Sequence, residues 1–593
     1  MHSRTKVIHT ISTVWKYLTK SPAFLLAFTI FLLSAVYVTF PLIFHLGSLT
    51  TGYGDELFIA WAQNWIIHAI STNIFGLFNT NIYYPHLNTL AYSDPFITSA
   101  ISAVIPLSLI GQPITTVNFT LISSLVLLPF SVFLLAYYLT GKLIPSLIAG
   151  LLVLFSPAVL DKEVHLQVLA IQWIPLAMLS FFEFIKSSKS RYLFLSLFFF
   201  LLQTYNSLMP GYFIVVFYLV TLLNLWFTNK KTFYKLANLK NFLIAATLMV
   251  IVMIIVLPYI KIANDSHLSR DIRETIHLGL QPEDLLYPNN STKLKNMLLQ
   301  IPGVKGSSQF AEVKPGYLGA VFSILALMTV VYFIKKKNKN FELSSIFYTG
   351  ILGLLLSFGP ALHLGRATVH KPFLIPLPYV AFYYLAPGFK GFRNSSRWEM
   401  LFIICIAVCI AFLLTFIVKK VKNKFLQYLL YFLLITGIVF EYNFPMHFLP
   451  VPQKNQFPPV YKWLETTPAN TAVIIFPIYD WYMPNAGYEL NRQFYSTVNF
   501  RKTVNGASGI SAPDWQTFVK FLNLNFPNKE SLIRIKKLGV SYIIIEEGSY
   551  NNLKKTTPAL PYDGNQTVEI LKKEPNLKLV KKFNDTYVFN VLR

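Results

Sequence analysis

Two acidic residues stand side by side just after the first long apolar stretch of the chain, in the sequence "YGDELFIAWAQNW" (residues 53–65). Only six acidic residues occur among the first 260, and an ionisable group that is kept near a membrane segment usually has a function. A carboxylate in a dry site can act as a general base, because burial raises its pKa toward the working pH. Asp55 and Glu56 are therefore the first candidates for catalysis. Trp61 and Trp65 suit either an interfacial belt or a wall over a cleft.

Further polar residues fall at the expected ends of helices. Asp94, in "YSDPF", can either cap the next helix or belong to a site. The stretch "DKEVHLQVLAIQW" (161–173) holds Glu163, His165 and Gln172 in an apolar context. A lone polar side chain in a membrane helix more often bonds another helix than a ligand. These polar residues are predicted to gather at one side of the helical bundle. This favours substrate binding by Asp94, His165 and Gln172, with Glu163 as an additional catalytic acid.

A basic segment, "APGFKGFRNSSRWEML" (386–401), precedes an apolar helix. Lys390, Arg393 and Arg397 would lie at its outer end, against the usual bias of basic residues toward the cytoplasm. The N-terminus of a helix offers N–H groups and a favourable dipole to an anion, and Arg adds forked donors. These residues are predicted to bind a phosphate, with pairing to Glu399 or to lipid headgroups as the alternative.

The elements that position these groups are predicted to be transmembrane helices. The 593 residues are 54% hydrophobic and 13% charged, and apolar runs of 18 or more residues recur. The net charge of +25 comes from basic runs between these segments, which is typical of cytoplasmic loops, so the expected partner is a lipid bilayer and not nucleic acid. The N-terminus is then cytoplasmic. The apolar segments 95–111, 114–140, 143–160 and 164–186 are predicted helices, but either one of them does not cross the membrane or segment 57–75 does, so the total is 11 or 13 helices.

The pattern changes after residue 445. Short apolar strands such as "TAVIIFPI" and "SYIIIEE" alternate with amphipathic helices such as "KESLIRIKKLGV". We therefore predict an α-helical polytopic membrane bundle over residues 1–444, followed by a small soluble α/β domain over residues 445–593 on the extracytoplasmic side of the plasma membrane. In this domain, residues 480–482 and Glu489 suit either sugar contact or an ordinary small core.

The ordered set of segments resembles the GT-C superfamily of polytopic glycosyltransferases. The stretches that carry the resemblance are "GDELFIAWAQNWIIHAI", "NIYYPHLNTLAYSDPF", "HLQVLAIQWIPLAMLSFFEF", "PLPYVAFYYLAPGFKGFRNSSRWEML", "PPVYKWLE", "FPIYDWYMPNAGYE", "YSTVNFRKTVNGASG" and "LGVSYIIIEE". The resemblance implies a catalytic acid in the first outer loop, a polyprenyl-phosphate-linked sugar donor and inverting transfer. Asp55 matches the catalytic position, and Glu56 departs from the small residue or proline more common beside it, so either carboxylate could serve. A divalent metal stays open, because only some members use one.

The predicted function is that of a multi-pass cell-envelope enzyme, a hexosyl- or pentosyltransferase that moves a sugar from a polyprenyl-phosphate donor to a lipid, glycan or protein acceptor. Asp55 would be the base, with Glu56 or Glu163 as helper, and the basic segment would hold the leaving phosphate. A transporter or flippase of lipid-linked sugars and a non-catalytic assembly protein of the same fold are the alternatives. The absence of an obvious internal repeat in the sequence disfavours the transporter.

Overall fold

The computed structural model describes residues 22–265, 270–288, 292–300, 316–335, 340–364, 367–368, 375–442, 446–479, 487–557 and 559–592. The chain divides into two compact units. The first unit draws on the ranges 1–43, 121–253 and 269–446. The second draws on the ranges 44–120, 254–268 and 447–593.

Helices make up most of the described chain, and six of them are long and apolar enough to cross a membrane by length and composition. A helix satisfies its own backbone hydrogen bonds, which is the condition for crossing a hydrocarbon layer. The apolar helices are Pro22–Val38, Thr115–Thr140, Leu143–Leu154, Trp173–Ser187, Ser190–Asn206, Leu208–Thr228, Leu239–Asp265, Ala320–Lys335, Phe341–Ser357, Glu399–Lys420 and Lys424–Glu441. The predicted polytopic helical bundle is confirmed.

The helix Glu399–Lys420 is the most deeply buried part of the first unit. It packs against the helices Phe341–Ser357 and Leu143–Leu154. A Cβ atom at Gly350 would lie only 2.8 Å from the Cβ of Cys405, so this glycine allows the two backbones to approach closely. The close packing fixes the N-terminal end of this helix, where the basic segment 386–398 enters it.

The structure bears on the number of helices that cross the membrane, which the sequence leaves at 11 or 13. The predicted segment 95–111 divides into the helices Ile97–Ser102 and Val104–Ile110, and each rises only about 10 Å. A hydrocarbon core of about 30 Å needs roughly 20 helical residues, so neither of these helices spans it. The helix Asp55–Thr72 packs instead against the helix Gly487–Tyr495 within the second unit. In the described residues this favours the total of 11 helices.

The second unit contains a five-stranded sheet in the order Lys502–Thr503, Ala472–Phe476, Tyr542–Glu546, Thr586–Val591 and Leu577–Phe583. The first three strands are parallel and the last two pair antiparallel. The helices of this part are Pro459–Glu465, Gly487–Tyr495, Pro513–Asn525, Lys529–Lys537, Glu547–Thr556 and Gly564–Lys573. The predicted α/β alternation is confirmed, and residues 480–482 lie outside the described residues.

The second unit also takes in residues 44–120, because this segment bonds to the C-terminal sheet. The amide of Tyr84 donates to the carbonyl of Thr503 at 2.9 Å, and the amide of Thr503 donates to the carbonyl of Asn81 at 2.7 Å. The predicted domains, 1–444 and 445–593, follow chain order, whereas the compact units follow such contacts. Residues 44–120 and the C-terminal sheet are therefore parts of one folded body.

Candidate functional site

The turn before Asp55 is held by contacts from distant parts of the second unit. The strand Leu49–Thr50 pairs antiparallel with Leu449–Pro450. The hydroxyl of Tyr53 donates to the carbonyl of Pro450 at 2.6 Å, and the side-chain amide of Asn118 donates to the carbonyl of Leu49 at 2.7 Å. The helix then begins at Asp55, whose side chain is exposed in the first turn. A negative charge is stabilised there by the helix dipole.

Glu56 occupies the next position but points inward and is 2% exposed. One carboxylate oxygen accepts the hydroxyl of Thr51 at 2.9 Å, and the other accepts the amide of Gly54 at 3.2 Å. Burial raises the pKa of Glu56 above its ordinary value. A Cβ atom at Gly52 would lie 2.7 Å from this carboxylate, so the turn closes tightly around it. Glu56 thus holds the turn together, while Asp55 presents its carboxylate outward.

We expect Glu56→Gln to keep transfer activity within about tenfold of the wild type, a small effect beside the 10²–10⁴-fold of a lost general base. Glutamine can accept from the Gly54 amide and donate to the Thr51 hydroxyl, so the turn can re-form. Because the folded pKa of Glu56 is raised, its contribution to stability is full below the unfolded pKa of about 4.3 and is lost as pH rises through the folded pKa. Thermal unfolding measured across this pH range should lose that dependence in Glu56→Gln. The variant Glu530→Gln, at an exposed acid in the first turn of Lys529–Lys537, is the control, and equal pH profiles for Glu56→Gln and the wild type would contradict this role.

The tryptophans of this helix pack into the second unit. The indole N–H of Trp61 donates to the side-chain carbonyl of Asn81 at 3.0 Å, and Trp61 is 1% exposed. The indole N–H of Trp65 donates to the carbonyl of Leu77 at 2.9 Å. Trp61 therefore fits neither the belt nor the cleft wall predicted from the sequence. Both residues anchor the helix that carries Asp55.

Asp94 belongs to a segment that packs against the same helix. The ring of Phe58 meets that of Phe96 edge to face at 6.4 Å, and Asp94 is two residues before Phe96. Phe96, and not Asp94, is the N-cap residue of Ile97–Ser102. The hydroxyl of Tyr259 donates a hydrogen bond to the carbonyl of Ser93, the residue before Asp94, at 2.8 Å. Asp94 is half-buried in a segment that packs against the helix Asp55–Thr72 through Phe96.

In the first unit, a buried ion pair joins two of the predicted site segments. The Nζ atom of Lys162 lies 2.7 Å from Oε1 of Glu399, and both side chains are almost inaccessible to solvent. Glu163 and His165 follow Lys162 closely in the chain. The ion pair therefore brings their turn next to the start of the helix Glu399–Lys420, which Arg397 precedes by two residues. Lys162 has no role in the predictions from sequence. The pattern that could have indicated this ion pair is a lysine between two acids in an apolar context.

Two side chains of the basic segment, Lys390 and Arg393, already contact other residues of the first unit. Arg393 Nε donates to Oε1 of Glu274 at 2.5 Å. The ammonium group of Lys390 lies over the rings of Tyr383 and Tyr384, at 5.7 and 5.5 Å from their centroids. Glu399, which the sequence offered as an alternative partner of these residues, forms an ion pair with Lys162. The predicted phosphate binders therefore differ in how much of their charge local groups compensate.

Arg397 lies in the short 3-10 turn Ser395–Trp398, directly before the helix Glu399–Lys420. The side chain of Asn394 caps this turn by accepting the amide of Ser396 at 3.0 Å. The Trp398 ring packs on Phe213 at 4.6 Å and fixes the turn from inside. Part of the N–H array expected to bind an anion is thus already used, so an anion here would depend on the side chains of the basic segment, of which that of Arg397 is half-buried.

Gln172 stands apart from these clusters, at the N-cap of the helix Trp173–Ser187. Its side-chain carbonyl oxygen is buried and has no hydrogen-bond partner among the described residues. Across the described ranges, no three His, Cys, Asp or Glu side chains gather in a way that could hold a metal ion. The structure therefore offers Asp55 and Asp94 in one unit, and Glu163, His165, Gln172 and the basic segment in the other.

A family model described as "Domain of unknown function (DUF6311)" matches residues 31–438. The chain belongs to the DUF6311 family. A comparison of this DUF6311 protein with curated proteins finds no match.

Solved structures with a similar fold include the arabinofuranosyltransferase AftD from Mycobacteria, with a TM-score of 0.52 and 12% identity over 96% of this chain. The chain spans only 40% of the length of AftD. The oligosaccharyltransferase of Archaeoglobus fulgidus, in its apo form, gives a TM-score of 0.51 and 13% identity, covering 92% of this chain and 72% of the other. This DUF6311 protein shares its overall fold with these two structures, in agreement with the fold that the sequence resemblance predicts.

Proposed function

We propose that this chain is a glycosyltransferase that uses a polyprenyl-phosphate-linked sugar on the extracytoplasmic side of the membrane. The shared fold supports glycosyl transfer in general, since the two similar structures are an arabinofuranosyltransferase and an oligosaccharyltransferase. The observation that carries the proposal is the contrast between the two adjacent acids. Glu56 is buried and held by Thr51 and Gly54, whereas Asp55 is exposed on a turn that the second unit holds in place.

The proposed reaction needs one base and a stabilised leaving group. The Asp55 carboxylate takes the proton of the acceptor hydroxyl, and the acceptor oxygen forms a bond to the anomeric carbon of the sugar. The bond between this carbon and the phosphate oxygen breaks, and its electron pair leaves with the polyprenyl phosphate. Attack opposite the leaving group inverts the anomeric configuration. Glu163 and Asp94 are proposed to orient the sugar or the acceptor.

Arg397 is proposed to bind the donor phosphate, with Lys390 and Arg393 adding positive charge. We expect Arg397→Gln to raise the KM for the donor by about 10–100-fold, because a hydrogen bond to a charged group is worth about 1.5–3 kcal/mol. The measurement is initial rate against donor concentration with the purified chain in lipid nanodiscs. Arg191→Gln, which removes an arginine from the first turn of Ser190–Asn206, is the matched control. Equal KM values for Arg397→Gln and the wild type would exclude this assignment.

The proposed activity is tested by incubating the reconstituted chain with polyprenyl-phosphate sugars that carry a radioactive sugar. Loss of label from the lipid phosphate and its appearance on an acceptor or in water supports glycosyl transfer. Movement of the intact labelled lipid between the leaflets, without cleavage, would instead identify a flippase. Neither cleavage nor movement, over a panel of hexose and pentose donors, would point to the non-catalytic protein.

A further inference from the structure

One apolar segment that the sequence predicts as a continuous helix, 164–186, is interrupted in the structure. The helix Leu166–Leu169 ends after four residues, and the next one begins at Trp173. The amide of Ile174 donates to the carbonyl of Ile171 at 3.1 Å, so the usual helical partner of the Ala170 carbonyl is lost. A break of this kind leaves polar backbone groups that other residues must satisfy.

Two amide side chains from another helix satisfy this carbonyl. Gln203 Nε2 and Asn206 Nδ2 donate to the Ala170 oxygen at 3.3 and 3.2 Å. Both side chains are essentially buried, with exposures of 0% and 2%. Because a carbonyl oxygen can only accept, the NH₂ group of each amide must face it. The two side-chain oxygens are therefore fixed as acceptors that point elsewhere.

Those acceptors are not satisfied among the described residues. Gln203 Oε1 and Asn206 Oδ1 have no donor there, and neither do the side-chain oxygens of Gln167 and Gln172. The indole N–H of Trp173 has no acceptor in the same part of the chain. Buried polar atoms without partners are rare in proteins, so five of them around one helix break need an explanation.

The aromatic ring of this group lies on the same face as the amides. Trp173 stacks on Phe199 with ring centroids 5.9 Å apart. Phe199 precedes Gln203 by four residues on the helix Ser190–Asn206, and residues with this spacing share one helix face. The indole, two fixed amide oxygens and the break at residues 170–172 therefore belong to one polar cluster within the first unit.

We propose that this cluster, formed by Gln167, Gln172, Trp173, Gln203 and Asn206, binds the neutral sugar ring of the donor through its hydroxyls. Sugar hydroxyls can donate to the four amide oxygens and accept from the indole N–H. A phosphate or carboxylate would face mainly oxygen acceptors, which cannot donate a hydrogen bond to it. A bare cation would face the indole N–H, which cannot bind it. The inference rests on the proposed function, because it takes the ligand to be the sugar that is transferred.

The test compares binding of polyprenyl-phosphate-linked glucose, galactose, mannose and arabinofuranose with binding of sugar-free polyprenyl phosphate. The reconstituted full chain is titrated with each lipid. Asn206→Leu and Trp173→Phe should weaken the best lipid-linked sugar at least tenfold and change the affinity for the sugar-free lipid less than twofold. Trp173→Phe keeps a ring against Phe199 and leaves the Ala170 carbonyl bonded, so it reports on the indole N–H even if Asn206→Leu fails to fold.

Asn224→Leu is the matched control. Asn224 is also an amide within a helix, but it donates to Ser344, Ser345 and the Phe341 carbonyl. It should leave the preference for sugar unchanged. Equal affinities for all five lipids in the wild type, unchanged affinities in both variants, or an equal loss for the sugar-free lipid would overturn the inference and leave ordered water as the occupant of the cluster. Sugar-specific binding without any transfer would support this site while refuting the proposed enzyme.

Discussion

Replacing Asp55 by Asn is expected to lower the rate of sugar transfer by about 10²–10⁴-fold, which is the usual contribution of a general base. Asparagine has nearly the same shape but cannot take the acceptor proton. The side chain is exposed at the start of the helix Asp55–Thr72, and Glu56 keeps its hydrogen bonds to Thr51 and Gly54 within the turn. The variant should therefore fold and insert normally. The rate is measured as release of labelled sugar from the donor.

The control for this variant is Asp514→Asn. Asp514 is also an exposed acid in the first turn of a helix of the second unit, Pro513–Asn525. Its replacement removes the same charge from a similar position and should leave the rate within about twofold, a change that is small beside the loss of a general base. If Asp55→Asn kept the wild-type rate, or if both variants lost activity equally, the assignment of Asp55 as the base would fail.

Replacing Lys162 by Met is expected to destabilise the first unit by about 3–5 kcal/mol, because it leaves the carboxylate of Glu399 buried without the cation beside it. Lys162 Nζ and Glu399 Oε1 lie 2.7 Å apart, and neither side chain reaches solvent to any extent. Asp161 and Asp284 also act on Glu399 and make an unpaired charge there less favourable. The free energy of unfolding is measured by SDS titration of the purified chain, followed by tryptophan fluorescence.

The double variant Lys162→Met/Glu399→Leu separates charge from packing. A buried ion pair replaced by apolar groups of similar volume often costs little, so most of the loss should be recovered. Arg534→Met is the matched control, since it breaks the exposed pair with Glu530 and should cost less than about 1 kcal/mol. A loss as small for Lys162→Met as for Arg534→Met, or a double variant less stable than the single one, would contradict this account of the pair.

The general architecture could be predicted because it depends on local pattern. Long apolar runs give membrane helices, and the alternation of short apolar strands with amphipathic helices after residue 445 gives the α/β sheet. The strands predicted in "TAVIIFPI" and "SYIIIEE" are observed at Ala472–Phe476 and Tyr542–Glu546. These features depend on the spacing of apolar and polar residues that are close together in the sequence.

Features that depend on distant contacts could not be predicted. The pairing of Leu49–Thr50 with Leu449–Pro450 joins parts of the chain that are 400 residues apart, and no local pattern indicates it. The same is true of Lys162 and Glu399. The break at Ala170 was missed because residues 164–186 are apolar enough for a continuous helix, and only the amides of Gln203 and Asn206 compensate the lost bond.

The difference between the two adjacent acids is another contact effect. From the sequence, either Asp55 or Glu56 could serve as the base, although the family resemblance favours Asp55. Their roles separate only when the turn places Thr51 and Gly54 around Glu56 and leaves Asp55 outside. The roles proposed for Glu163 and His165 stay predictions, and Arg397→Gln tests the role proposed for the basic segment.

The most direct test is a single-turnover reaction of the reconstituted full-length chain with a radioactive polyprenyl-phosphate sugar, in which the wild type, Asp55→Asn and Glu56→Gln are compared side by side. The account predicts that the wild type and Glu56→Gln cleave the donor and that Asp55→Asn leaves it intact. Cleavage by Asp55→Asn at the wild-type rate, or its loss in Glu56→Gln alone, would contradict the account.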